Sequence, residues 1–155
     1  MAIQQSDPAD RINNSARPSS VLELTVTAVT ENLPRVAAFV DDVLEAMGCL
    51  PKTQLQIDLA VEEIYVNIAR YAYAPDTGEA RVRLETFDDP ASVRITFFDQ
   101  GVPYDPLSRS DPDTSLSAEE RGIGGLGVYL TKKLMDAVTY AHEDGQNVLT
   151  LQKKL

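Results

Sequence analysis

A chain of 155 residues, 43% hydrophobic and 25% charged, is long enough for one domain with a real core and has the composition of a soluble globular protein. Its formal net charge of −10 repels phosphate backbones and anionic headgroups, which argues against nucleic-acid or membrane-surface partners. With one cysteine, Cys49, and one histidine, His142, no disulfide, zinc cluster, Cys–His pair or Ser–His–Asp triad can be built within one chain, so acid–base chemistry falls to carboxylates, lysines or tyrosines.

Residues 1–20 are polar, carry Pro8, Pro18, Asn13 and Asn14, and read as a disordered tail. No apolar run is long enough for a membrane span and no basic-then-apolar leader is visible, so the expected location is the cytoplasm. Residues 21–29 set Leu22, Leu24, Val26 and Ala28 against Glu23, Thr25 and Thr27, the alternation of a half-buried strand. Residues 32–47 read as a helix: Pro34 suits its first turn, and Val36, Phe39, Val40, Val43 and Met47 form one stripe. Gly48 ends it and Pro51 prevents continuation. A second helix is expected from Thr53, with Thr53 and Gln56 as a capping box, to about Tyr73. Ile57, Val61, Ile64, Ile68 and Tyr71 would be its core stripe. Gln56, Ala60, Glu63, Asn67 and Arg70 share a different face, on which Glu63 and Asn67 are one turn apart and point the same way.

After a turn at 75–78, residues 79–87 and 92–99 read as a hairpin around Asp88, Asp89, Pro90 and Ala91. Residues 103–121 have no regular period, and an aperiodic segment of that length usually serves as a lid or binding loop. A helix is expected over 128–135, and a closing hairpin pairs 138–141 with 148–151 over a loop at 143–147. The order strand, two helices, two strands, long loop, helix, two strands gives an α+β two-layer sandwich.

Three stretches carry chemistry. Gly122-Ile123-Gly124-Gly125-Leu126-Gly127 precedes a helix, where glycines let backbone N–H groups approach an anion at the helix N-terminus; a tight glycine turn would look the same. It formally matches a dinucleotide fingerprint, but no strand precedes it, and no Gly-Lys-Ser/Thr makes it a Walker loop. Asp99, at the end of an apolar strand and two residues before Gly101, offers an acceptor to an exocyclic amine, or simply ends the strand in an Asp–Xaa–Gly turn. On the helix face, the Asn67 carbonyl could hold Mg²⁺ beside a triphosphate and the Glu63 carboxylate could take a proton, with Glu62 a third of a turn away the weaker candidate; a solvated face is the bland alternative.

Glu63-Ile64-Tyr65-Val66-Asn67, then Asp99-Gln100-Gly101-Val102-Pro103-Tyr104-Asp105-Pro106, then the glycine-rich stretch resemble, in order and spacing, the ATP-binding domain shared by gyrase, Hsp90, histidine kinases and MutL. Within it they resemble the serine kinases that act as anti-sigma factors, as do Leu134-Met135-Asp136 and the run 147–151. The resemblance covers roughly residues 21–155. It implies the Bergerat ATP-binding fold, a mixed, mostly antiparallel sheet with helices on one face, and ATP with Mg²⁺ as cofactors. It implies Glu63 as the base, Asn67 as the Mg²⁺ ligand, Asp99 on the adenine amine with Gly101 beside the ring, and Gly122, Gly124, Gly125, Leu126 and Gly127 around the phosphates. Residues 106–121 would be the ATP lid. The implied activity is phosphorylation of a STAS-type anti-anti-sigma protein and sequestration of a sigma factor, with a PP2C-type phosphatase in the same pathway and a homodimer as the assembly. An ATP-gated binding module without catalysis, or a small ATPase without a protein acceptor, would use the same pocket. Tyr71 stands where many relatives of this branch have His. No histidine-phosphotransfer domain precedes residue 21, which argues against a sensor histidine kinase.

Overall fold

The computed structural model describes residues 16–108 and 125–155. They form strands β1 (Ser20–Thr27), β2 (Glu79–Asp88), β3 (Ala91–Asp99), β4 (Ala137–Glu143) and β5 (Gln146–Lys154), and helices α1 (Leu33–Ala46), α2 (Pro51–Asn67) and α3 (Gly125–Leu134). The strands make one five-stranded sheet in the order β1-β2-β3-β5-β4, with every neighbouring pair antiparallel. Alternation along the strands decides the layers. Val82 and Leu84 of β2, Val93, Ile95 and Phe97 of β3, and Leu149 and Leu151 of β5 turn toward the helices and are buried with Val36, Val40 and Leu44 of α1 and Ile57, Val61, Ile64 and Tyr65 of α2. Full burial of each such side chain contributes about 1.5–3 kcal/mol. The other face carries Glu23, Arg81, Arg83, Glu85, Arg94 and Phe98, where Glu23 bridges both Arg81 and Arg83 and the Arg81 guanidinium stacks 3.9 Å from the Phe98 ring centre. This is the expected α+β sandwich.

Several boundaries differ from the sequence reading, each for a physical reason. β1 begins at Ser20 and continues a bond from Ser19 N to the Thr86 carbonyl, so ladder pairing reaches into the segment expected to be a tail. α2 begins at Pro51, with Leu50 before it and no side-chain cap; the Thr53–Gln56 capping box does not form. A proline's fixed φ and missing N–H suit the first helical position, so Pro51 starts the second helix as much as it ends the first. The α-helical ladder stops at Asn67, and Ile68–Ala72 form a π turn. The wider turn shifts the register, so the core stripe ends at Ile68, and Tyr71, expected inside, is 55% exposed. Ala60, placed on the polar face, is fully buried. α2 packs against both α1 and α3 and shares one core with the sheet, so its buried arc is wide.

The closing hairpin is tighter than expected. Its turn is only Asp144 and Gly145, with φ of 53° and 75°. Two positive φ values are the mark of a two-residue hairpin turn whose twist matches the strands. The consequence is that Asn147, read as loop, is a residue of β5 opposite Asp99.

Candidate functional site

The ends of β3 and β5, the C-terminal end of α2, the π turn and the start of α3 converge on one cavity of about 550 Å³. Ile64, Ile68, Val102, Pro106, Val128 and Leu149 give it apolar walls, and Asn67, Asp99, Asn147, Tyr71, Tyr104 and Tyr140 supply its polar groups. A largely apolar cleft with a few fixed polar groups is the usual form of a small-molecule site.

Asp99 is 6% exposed and held at one oxygen: Oδ1 accepts from Gly101 N at 3.0 Å and from Asn147 Nδ2 at 2.9 Å. No described residue donates to Oδ2. The fold thus satisfies one oxygen and leaves Oδ2 as an acceptor without a donor among the described residues. Gly101 is required by its own backbone surroundings. A Cβ there would run into the carbonyl of Ala72, which also accepts the next amide, Val102 N, at 2.9 Å. The loop after β3 thus lies directly on the π turn. Tyr73 fixes the same corner: its hydroxyl donates to the Glu79 carbonyl at 2.6 Å and accepts from Gln100 N at 2.7 Å. Burial, and after it repulsion from Asp99 and Glu79, push the Tyr73 hydroxyl above its ordinary value, offset in part by the Gln100 amide, so it stays a donor.

Asn67, the last residue of α2, lines the cavity. Glu63 lies one turn earlier and packs on α3: a Cβ on Gly127 would meet the Glu63 carboxylate. The next residue, Val128, lines the cavity. Glu62 is exposed on another side of the helix. Of the sequence-predicted residues, Asn67 and Asp99 line the cavity, Gly101 precedes the lining Val102, and Glu63 and Gly127, in contact with each other, each stand one residue before a lining residue, Ile64 and Val128. Gly125 and Leu126 open α3. Gly122, Gly124 and all but 106–108 of the expected lid lie outside the described residues. Tyr65, inside the first motif, donates to the Val29 carbonyl at 2.6 Å from a fully buried ring, tying α2 to the end of β1.

Sequence reasoning missed Asn147 and Tyr140. Asn147 touches Asp99, the Val102 carbonyl and the Tyr140 hydroxyl. The signal that could have found it is Asp144-Gly145, a two-residue turn that places Asn147 two positions into the strand.

The site's residues suit a Mg²⁺–nucleotide. Asp99 offers one unused acceptor oxygen in an apolar cleft, which fits an aromatic ring bearing an amine. Among the described residues no group of three or more His, Cys, Asp or Glu could hold a metal ion. Mg²⁺ commonly keeps several waters and takes only one or two protein ligands beside substrate phosphates, a part Asn67 can fill.

The chain matches the histidine kinase-like ATPase domain family over residues 26–153 and belongs to it. Serine-protein kinase RsbW of Bacillus cereus is 28% identical over 132 residues, covering 83% of this chain and 81% of the relative. The RsbW of Bacillus mycoides is 26% identical over the same length and shares. A crystal structure of the RsbU and RsbW domains of Rv1364c from Mycobacterium tuberculosis shares the fold, with a TM-score of 0.63 and 20% identity over 89% of this chain; the chain spans 33% of that longer protein.

Proposed function

We propose that residues 21–155 form an ATP-binding protein serine/threonine kinase domain that phosphorylates a STAS-type anti-anti-sigma protein and sequesters a sigma factor in the cytoplasm. The observation that supports the reading is a cavity lined by both Asp99, which has one carboxylate oxygen without a donor among the described residues, and Asn67, with the Glu63–Gly127 contact one residue from the lining Ile64 and Val128. The similarity to serine-protein kinases supports the choice of a protein hydroxyl as acceptor. No helix among the described residues is long and apolar enough to cross a membrane.

In this reading Asp99 would accept the adenine amine, Asn67 would hold Mg²⁺ by its side-chain carbonyl, and the amides that begin α3 would bind the phosphates, as helix N-termini favour anions. ATP supplies the phosphoryl group. Glu63 accepts the proton of the acceptor serine, and phosphoryl transfer otherwise depends on positioning and charge. The test is incubation of the protein with γ-labelled ATP, Mg²⁺ and a STAS-type protein encoded beside it. Label on a partner serine is expected. Partner affinity that changes with ATP while no label transfers would replace the kinase with an ATP-gated binding module. Phosphate release without partner dependence would replace it with an ATPase.

A further inference from the structure

Asn147 has a chemically forced orientation. Its Nδ2 faces three acceptors: Asp99 Oδ1 at 2.9 Å, the Val102 carbonyl at 3.1 Å and the Gly101 carbonyl at 3.4 Å. Its Oδ1 faces two donors, the Tyr140 hydroxyl and, at 3.4 Å, Tyr104 N. Turning the amide over would set oxygen against a carboxylate and two carbonyls, and nitrogen against two donors. Burial, followed by repulsion from Asp105 and Asp99, raises the Tyr140 hydroxyl above its ordinary value against the lowering effect of the Tyr104 amide, which keeps Tyr140 a donor. The chain Tyr140–Asn147–Asp99 therefore has one direction of donation, running from β4 through β5 to β3.

We propose that Asn147 is the positioning residue that gives the pocket its preference for a 6-amino over a 6-oxo purine, a role that rests on the nucleotide reading above. The argument is one of saturation. Asn147 and Gly101 N both donate to Asp99 Oδ1 and so fix the direction in which Oδ2, an acceptor, is presented. A 6-amino group meets it as a donor; a 6-oxo group brings a second acceptor. A buried site built for one hydrogen-bonding pattern rejects the opposite pattern far more strongly than an apolar wall does. Without Asn147 the carboxylate keeps only the Gly101 amide, Oδ2 is no longer held in one direction toward the exocyclic group, and the preference weakens while the apolar walls still hold the ring.

ITP is the probe, because it differs from ATP at this exocyclic position with its ring protonation. Calorimetric Kd values for ATP and ITP on the wild type, Asn147→Leu and Tyr140→Phe give the ATP-over-ITP ratio for each. Wild type is expected to prefer ATP by about tenfold or more, Asn147→Leu to bring the ratio within about threefold of one, and Tyr140→Phe to fall between. A merely structural role would weaken both nucleotides alike and leave the ratio unchanged; that result overturns the inference. Asn147→Asp guards against a variant that fails to fold. Its introduced carboxyl can donate to Asp99 only while protonated, so its ratio should fall as the pH is raised from 5 to 8, relative to wild type at each pH. A ratio in Asn147→Asp that tracks wild type across that range overturns the inference. Equal wild-type affinities for ATP and ITP overturn it and leave nucleotide binding standing, whereas binding of neither overturns both.

Discussion

Asp99, which lines the cavity, and Glu63, which packs against α3 one residue before the lining Ile64, are both carboxylates, yet the fold holds them in opposite ways. Asp99 ends a central strand, is buried, and has one oxygen gripped by a backbone amide and a side-chain amide. Glu63 lies half-buried on a helix face, and its carboxylate rests against the bare Cα of Gly127 with no hydrogen bond from another described residue. A carboxylate with fixed donors makes its ligand bond in the ground state and contributes to affinity. One held by packing alone can wait for a proton that moves only in the transition state and contribute to rate. In the proposed reading, the adenine end at Asp99 should thus be broken by lost binding, and the transfer end at Glu63 by lost turnover.

The largest effect tests the transfer end. Glu63→Ala should lower phosphotransfer to the partner by about 10²–10⁴-fold while the ATP Kd stays within about threefold, and Glu62→Ala should be much milder. Titration calorimetry and a labelled-transfer assay on the same preparations read both numbers; lost ATP binding in Glu63→Ala would erase the contrast. At the other end, Asp99→Asn should raise the ATP Kd about 10–100-fold, the loss of a hydrogen bond to a charged acceptor. An unchanged Kd would remove Asp99 from the adenine contact.

The two glycines sharpen the same contrast. Gly101→Ala would drive a Cβ into the backbone of Ala72, which cannot yield, and should cost about 1–3 kcal/mol in urea denaturation. Gly127→Ala meets only the end of a side chain that can move. It should leave stability close to wild type, since alanine also suits the helix, and lower phosphotransfer by about tenfold through displacement of Glu63. A Gly127→Ala protein with normal transfer would show that the Glu63–Gly127 contact does not position the base.

The smallest effect belongs to a seam remote from both ends. Between α1 and α2, burial, then a hydrogen bond and repulsion from Asp41, then repulsion from Glu45, raise the Asp58 carboxyl from 3.8 to about 7. The folded state therefore holds that proton at pH values where the unfolded chain has lost it. Stability from this group is fullest below about pH 4 and falls as pH rises toward 7. Thermal unfolding of Asp58→Asn should show a flatter profile over that range and a Tm a few degrees higher at pH 8. An unaltered profile would remove Asp58 as the source.

How much of this was legible in the sequence depended on the range of the interaction. The strand alternation of 79–87 and 92–99, the helix at 33–46 and the order of layers follow from local periodicity. So does the pairing of Glu63 with Asn67, since i and i+4 share a helix face wherever the helix lies. Tyr71 defeated the same reasoning because the π turn changes the period one residue after Asn67, and no local pattern announces it. Ala60 is buried in a core to which α1 and α3 both bring neighbours of α2, and α3 arrives from the far end of the chain. Asn147 was hidden by a loop read as five residues where Asp144 and Gly145 suffice.

β5 is the last strand of the sheet in chain order but pairs with β3 on one side and β4 on the other. It brings Asn147 to Asp99 across 48 residues of sequence. At its far end Lys153 donates to the Leu134 carbonyl at 2.7 Å, closing the last turn of α3. As the polypeptide leaves the ribosome, β1, β2 and β3 with both large helices can assemble first, leaving the outer edge of β3 bare and the Asp99 carboxylate without its side-chain donor. Only docking of the closing hairpin completes the pocket, a long-range step of the kind that slows folding. In the proposed reading, ATP that bound the finished form better than the unfinished one would pull the equilibrium toward it by mass action. The nucleotide would act in this sense as an inspector of synthesis, engaging a chain only after its final strand is in place.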